Sequence, residues 1–128
     1  MNRKLIFIGG VLNLLLGIFH VFFWKIFGWP ETVACLEQPN LGILYALNAH
    51  STMVIFFFAF ISLKYRDELL ISGPGRAAAW FIALFYLLRA VDEFIFFPME
   101  GASTVIFAVV IALIGLVYAV PLWRTRSR

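Results

Sequence analysis

The sequence predicts an all-α integral membrane protein: four transmembrane helices in an antiparallel up-down bundle, with both termini cytoplasmic. Three observations predict it. The 128-residue chain is 63% hydrophobic and only 13% charged, whereas soluble domains run at roughly 45–50% apolar and about 25% charged. A soluble core of this size could not hide so much apolar surface, so the surrounding solvent must be lipid. Four apolar runs each reach the ~20 residues that a ~30 Å hydrocarbon layer demands of a helix. Finally, the lysines and arginines gather on one side of those runs.

The runs are Leu5–Phe27, Leu41–Leu63, Arg76–Phe97 and Thr104–Trp123. Alternating segments of ~10 residues are absent, which excludes a barrel. Gly28-Trp29-Pro30 ends the first run, and the segment up to Asn40 carries Glu31 and Glu37. Lys64 to Gly75 forms the second break, with Ser72-Gly73-Pro74-Gly75 as its turn. Pro98-Met99-Glu100-Gly101 is a tight third break, after which Ser103 or Thr104 can cap the last helix. The chain is short enough for a single domain, residues 1–128.

Orientation follows from the basic residues. With the N-terminus inside, the inner flanks hold Arg3, Lys4, Lys64, Arg66, Arg76, Arg124, Arg126 and Arg128. The outer side holds only Lys25, and Arg89 lies within a span. The positive-inside rule then puts both ends in the cytoplasm, as expected of a multi-pass protein of the cell inner (plasma) membrane. The net charge of +3 therefore reflects membrane orientation, with no nucleic-acid partner. The basic start followed by an apolar run resembles a signal peptide, and Thr32-Val33-Ala34-Cys35 faintly resembles a lipoprotein cleavage box. Retention as a helix is expected, because the run is long and Asn13 and His20 are unusual in a discarded signal. Cys35 is the only cysteine, so no intrachain disulfide can form.

Polar groups inside the spans carry the functional argument, since each ionisable one costs at least ~2.5 kcal/mol near a helix centre. They are His20, His50, Arg89, Asp92 and Glu93, with Asn13 and Asn48 as neutral companions. His20, His50 and Arg89 share a depth of roughly 10–14 Å below the outer boundary at the α-helical rise. Asp92 and Glu93 lie nearer the surface, and Asn13 lies deeper, toward the inner half. Gly10, Asn13, Gly17, His20 and Trp24 repeat by three and four, so they form one small or polar stripe that should face protein. Ile82, Tyr86, Arg89, Glu93 and Phe96 form another. Arg89 can be neutralised by Glu93 at i+4 or Asp92 at i+3. Asn48 and His50 point apart around their helix. Ala108, Ala112, Gly115 and Ala119 give the fourth helix a packing stripe.

The expected site is an outer-leaflet ring of His20, His50, Arg89 and Glu93, supported by Asn48 and Asp92. The histidines would ligate or exchange protons, Arg89 would compensate charge, and Glu93 would ligate or accept a proton. Three functions fit it. The first is binding of a haem b, a divalent metal or a small polar ligand within the bundle. Two histidines at one depth suit axial haem ligation, with Gly17 making space, and His20, His50 and Glu93 form a two-histidine, one-carboxylate metal set. The second is a proton-coupled carrier of small solutes, or a transporter or enzyme of lipid headgroups, acting as a homo-oligomer. The third is a non-catalytic subunit or assembly factor of a larger membrane complex. Structural readings stand beside these: an ion pair that ties helices together, and histidines and asparagines as interhelical polar contacts. In size and span number the chain resembles small multidrug transporters and fluoride channels. It lacks the buried glutamate in the first helix and the glycine-rich N-terminal pattern of those families.

Overall fold

The computed structural model describes residues 1–97 and 102–126. The described chain is helical almost throughout, with no strand. Four long helices dominate: α1 (Asn2–Val21), α3 (Gln38–Lys64), α5 (Gly73–Phe96) and α6 (Ala102–Arg126). Two single-turn helices, α2 (Phe23–Ile26) and α4 (Glu68–Ile71), and a 3₁₀ turn at Glu31–Val33 fill the connections. By length and composition α1, α3 and α6 are each apolar enough to cross a membrane. Helix α5 is as long but carries Arg76, Arg89, Asp92 and Glu93.

Several expected boundaries move. The first run is not one helix, because the chain breaks at Phe22 (φ −91°, ψ 4°). There the Phe22 N–H bonds the Phe19 carbonyl at 3.1 Å, a three-residue step that tightens the last turn. The Phe23 ring then stacks on His20 with centroids 4.2 Å apart. Gly73 and Pro74 belong to α5 rather than to a turn. Ser72 caps that helix, its Oγ accepting from the Gly75 N–H at 3.0 Å, and Pro74 sits in the first turn, where no N–H is needed. Ser103 and Thr104 lie within α6, which includes Ala102 before them. The expected third break at Pro98–Gly101 lies outside the described residues.

Helix α1 packs against α3 on one side and α6 on another, and α5 packs against α6. The contacts are close where the side chains are small. A Cβ on Gly9 would come within 2.6 Å of the Tyr118 ring, one on Gly10 within 2.8 Å of Leu63, and one on Gly17 within 2.8 Å of Phe56. The stripe Gly10, Asn13, Gly17 is thus buried, as its spacing requires. Its outer end differs: His20 is half-buried and Trp24 is exposed.

At the centre of the packing lies a polar node. Asn13 is fully buried and its amide donates to the Gly9 carbonyl at 2.8 Å and to the Tyr118 hydroxyl at 2.9 Å. The Tyr86 hydroxyl donates to Asn13 Oδ1 at 2.5 Å. The Tyr118 and Ser62 hydroxyls share a hydrogen bond of 2.8 Å. One residue from each long helix therefore meets in one network, and Ser62, Tyr86 and Tyr118 are buried with Asn13. Apolar packing surrounds it through Ile6, Phe58, Ile82 and Ile114. With no water to compete, each buried polar atom needs such a partner, so the node fixes the rotation of all four helices.

One end of the molecule collects basic residues. Arg3 pairs with Asp67 at 2.6 Å, and the Asn2 amide donates to the Pro121 carbonyl at 3.4 Å. Arg76 donates to the carbonyls of Leu70 and Leu122. Arg124 reaches the Met1 sulfur at 3.7 Å, and the Arg66 guanidinium stands over the Phe7 ring.

Candidate functional site

Away from that end, α5 carries Arg89, Asp92 and Glu93, and α1 carries His20. On α5, Arg89 Nη2 pairs with Glu93 Oε1 at 2.6 Å, the i, i+4 geometry in which a helix brings its own ion pair together. Glu93 is buried, with 7% of its side chain exposed, against 37% for Arg89. The guanidinium also lies 5.2 Å from the centroid of the Phe97 ring, within reach of a cation–π contact. Its second terminal nitrogen is different. Arg89 Nη1 is buried and has no hydrogen-bond partner among the described residues. An arginine keeps its proton under all ordinary conditions, so Nη1 is a permanently charged donor with its bonds unmade.

His20 is half-buried near the end of α1. The His20 Nδ1 lies 2.8 Å from the Leu16 carbonyl. A carbonyl only accepts, so Nδ1 carries the proton and Nε2 is left as an acceptor. The ring also lines a shallow open groove of about 200 Å³ between the end of α1 and the first half of α3. Asn48 and Ser51 line the same groove, with Leu44 and Leu47 beneath and Phe23 and Trp29 at its side. The Asn48 amide donates to the His20 backbone carbonyl at 3.5 Å, which ties α3 to α1 at this level. Trp29 is held over the groove by ring contacts to Phe23 and Tyr45. Gly28 makes that return possible: its φ of +63° is a backbone conformation that favours glycine.

The expected ring is therefore brought together only in part. Arg89 and Glu93 pair on α5, and His20 and Asn48 share the groove between α1 and α3. His50 joins neither. It is exposed on another face of α3, its Nδ1 donating to the Ala46 carbonyl at 2.7 Å. Asp92 is half-buried and makes no ion pair among the described residues. Both departures follow from helix rotation, because Asn48 and His50 cannot face one neighbour together, nor can Asp92 and Glu93.

The metal and haem sets are affected directly. His20, His50 and Glu93 do not assemble, and no three His, Cys, Asp or Glu side chains come together among the described residues. His20 lines the groove, and the exposed His50 is not among the residues that line it with His20. The room expected beside Gly17 is filled by the Phe56 ring.

The sequence reading missed Ser51 and Trp29 as groove residues, and Ser62 and Tyr118 as members of the central node. The chain matches no known family model, and no curated protein or solved structure is detectably similar to it.

Proposed function

We propose that this protein crosses the bilayer four times with both ends in the cytoplasm, and that it binds a small anionic group from the outer leaflet at Arg89. The four-span reading is supported by α5, which is about 36 Å long at the α-helical rise. Its charges have local explanations: Arg76 lies at the basic end, and Arg89 is neutralised by Glu93. Alternating direction is supported by the contacts, with Gly10 against Leu63 and Gly17 against Phe56, then Arg76 against Leu122 and Ala83 against Gly115. The basic end fits the cytoplasmic side. Cys35 is a free, exposed thiol in the first connection. A membrane-impermeant maleimide added to intact cells should label it, and labelling only after permeabilisation would reverse the orientation.

The observation that carries the ligand reading is Arg89 Nη1, buried and without a hydrogen-bond partner among the described residues. A half-satisfied guanidinium in hydrocarbon calls for a second anion, since Glu93 already occupies Nη2. Arginine presents its donors as a fork, which suits a tetrahedral or planar oxyanion such as phosphate or carboxylate. This favours a small anionic ligand over haem or a metal ion.

Native mass spectrometry with phosphatidic acid tests it. Arg89→Met should weaken retention of the lipid about tenfold or more, the scale of one lost charge-assisted hydrogen bond. Arg66→Met, which removes a cation at the other end, should leave that site unchanged. Equal retention by wild type and Arg89→Met would refute the anion site.

A further inference from the structure

The groove between α1 and α3 is independent of Arg89, which does not line it. Its walls are apolar and aromatic, from Phe23, Trp29, Leu44 and Leu47, and its polar side chains are His20, Asn48 and Ser51. A mostly apolar hollow with a few convergent polar groups is the usual form of a small-molecule site. No charged side chain lines this one. An ammonium or a carboxylate would lose its hydration there uncompensated, so the groove suits a neutral occupant. It also opens toward lipid. Helices α1 and α3 are both long and apolar enough to cross a membrane. Leu47, in the groove wall, is exposed, and so is Ile43 one turn before it.

The polar groups set the chemistry at the edge. His20 Nδ1 is committed to the Leu16 carbonyl, which leaves Nε2 as an acceptor. Asn48 gives one N–H to the His20 carbonyl and keeps its side-chain oxygen and a second N–H, and the Ser51 hydroxyl can give or accept. An obligate acceptor at His20 calls for a ligand that donates, and the neutral donor is a hydroxyl. A sugar carries more hydroxyls than three side chains can satisfy, and the apolar walls would strand the rest. A phenolic ring meets both conditions. Its face packs beside Phe23 and Trp29, and its edge hydroxyl bonds to a nitrogen. The volume of about 200 Å³ corresponds to about six or seven waters at about 30 Å³ each, room for one substituted ring and too little for a fused polycyclic body.

We propose that this groove binds a membrane quinol, the reduced form of a lipid-soluble quinone. One ring hydroxyl donates to His20 Nε2, the other ring oxygens face Asn48 and Ser51, and the tail leaves past Leu47 into the lipid. The oxidised quinone keeps the ring and the tail but only accepts hydrogen bonds, so it forfeits the bond to His20 and binds more weakly.

The experiment titrates the full chain in detergent with decylubiquinol held reduced under nitrogen, with decylubiquinone, and with the dimethyl ether of the quinol. Binding is read from quenching of Trp29 fluorescence, taken as the difference from Trp29→Phe, and from native mass spectrometry. Wild type should bind the quinol about fivefold more tightly than the quinone or the ether, the scale of one hydrogen bond. His20→Phe keeps a ring beside Phe23 and removes the acceptor, so it should bind quinol and quinone alike. His50→Phe, on another face of α3, should keep the wild-type preference. Equal affinity of wild type for the three compounds overturns the quinol site whether or not the variants fold. A preference that survives His20→Phe overturns it too. Displacement of the quinol by an equal concentration of dioctanoylglycerol, a neutral hydroxylated lipid without a ring, overturns the ring requirement and with it the proposal.

Discussion

Asn13→Leu should lower the stability of the folded protein by about 2–4 kcal/mol, the largest effect expected of any single core substitution toward an apolar residue of similar volume. The side chain is fully buried and makes three hydrogen bonds, two of them to other helices. Leucine keeps the volume and removes every polar atom. The Tyr86 hydroxyl is then a buried donor with no acceptor, whereas Tyr118 retains Ser62. Interhelical hydrogen bonds in membranes are individually modest, averaging about 0.6 kcal/mol, so most of the loss comes from the stranded hydroxyl and from displaced packing at Gly9. Tyr86→Phe removes the same bond without stranding a donor on α5 and should cost about 1 kcal/mol. Adding Tyr86→Phe to Asn13→Leu should recover part of the loss, a coupling that a double-mutant cycle measures. Reversible unfolding in bicelles is the readout. An Asn13→Leu protein as stable as wild type would mean that the node does not hold the four helices.

Glu93→Leu should cost about 3 kcal/mol, and Arg89→Met about 1 kcal/mol or less. The asymmetry is chemical. Losing the arginine leaves a carboxyl, which can take up a proton and become neutral, whereas losing the carboxyl leaves a guanidinium that cannot shed its charge. A loss of about 3 kcal/mol is the low end for breaking a buried pair. Arg89 is 37% exposed and can tilt toward the interface. Asp92→Leu should be nearly neutral by comparison, because Asp92 pairs with no cation among the described residues. Detergent-phase melting of the three variants checks the order. If Asp92→Leu proved as harmful as Glu93→Leu, the guanidinium would be shared between the two acids and Nη1 would not be open to a ligand.

How far the sequence reaches can be seen from particular residues. The Arg89–Glu93 pair was legible because i, i+4 spacing fixes it within one helix. The buried face of α1 was legible because Gly10, Asn13 and Gly17 repeat with the helical period. Relations between helices were not legible to the same degree. His20 and His50 were matched in depth, which follows from counting residues. Their directions depend on how α3 is rotated against α1, and that is set by packing such as Phe56 into Gly17. The choice of Glu93 over Asp92 depends on rotation in the same way. Tyr118 and Ser62 were overlooked because a tyrosine in an apolar run counts as hydrophobic and a single serine is unremarkable there. The available signal was depth: a Tyr hydroxyl seeks a partner when buried, and Asn13 offered one toward the same end of the bundle. The helix break at Phe22 and the return of Trp29 over the groove depend on local aromatic stacking, for which the sequence carries only the glycine at position 28.

Arg89 Nη1 should be completed by an anion that the protein itself does not supply. Solid-state NMR of the arginine-labelled protein in phosphatidylglycerol bilayers measures it most directly, through the coupling between guanidinium nitrogens and phosphorus. The signal belonging to Arg89 is isolated as the difference from Arg89→Met. A nitrogen–phosphorus contact at hydrogen-bonding range, present in wild type and absent in the variant, is the predicted result. A difference spectrum with no phosphorus contact, in which the Arg89 nitrogens couple only to protein carbonyl or carboxylate carbons, would show that Arg89 holds no external anion.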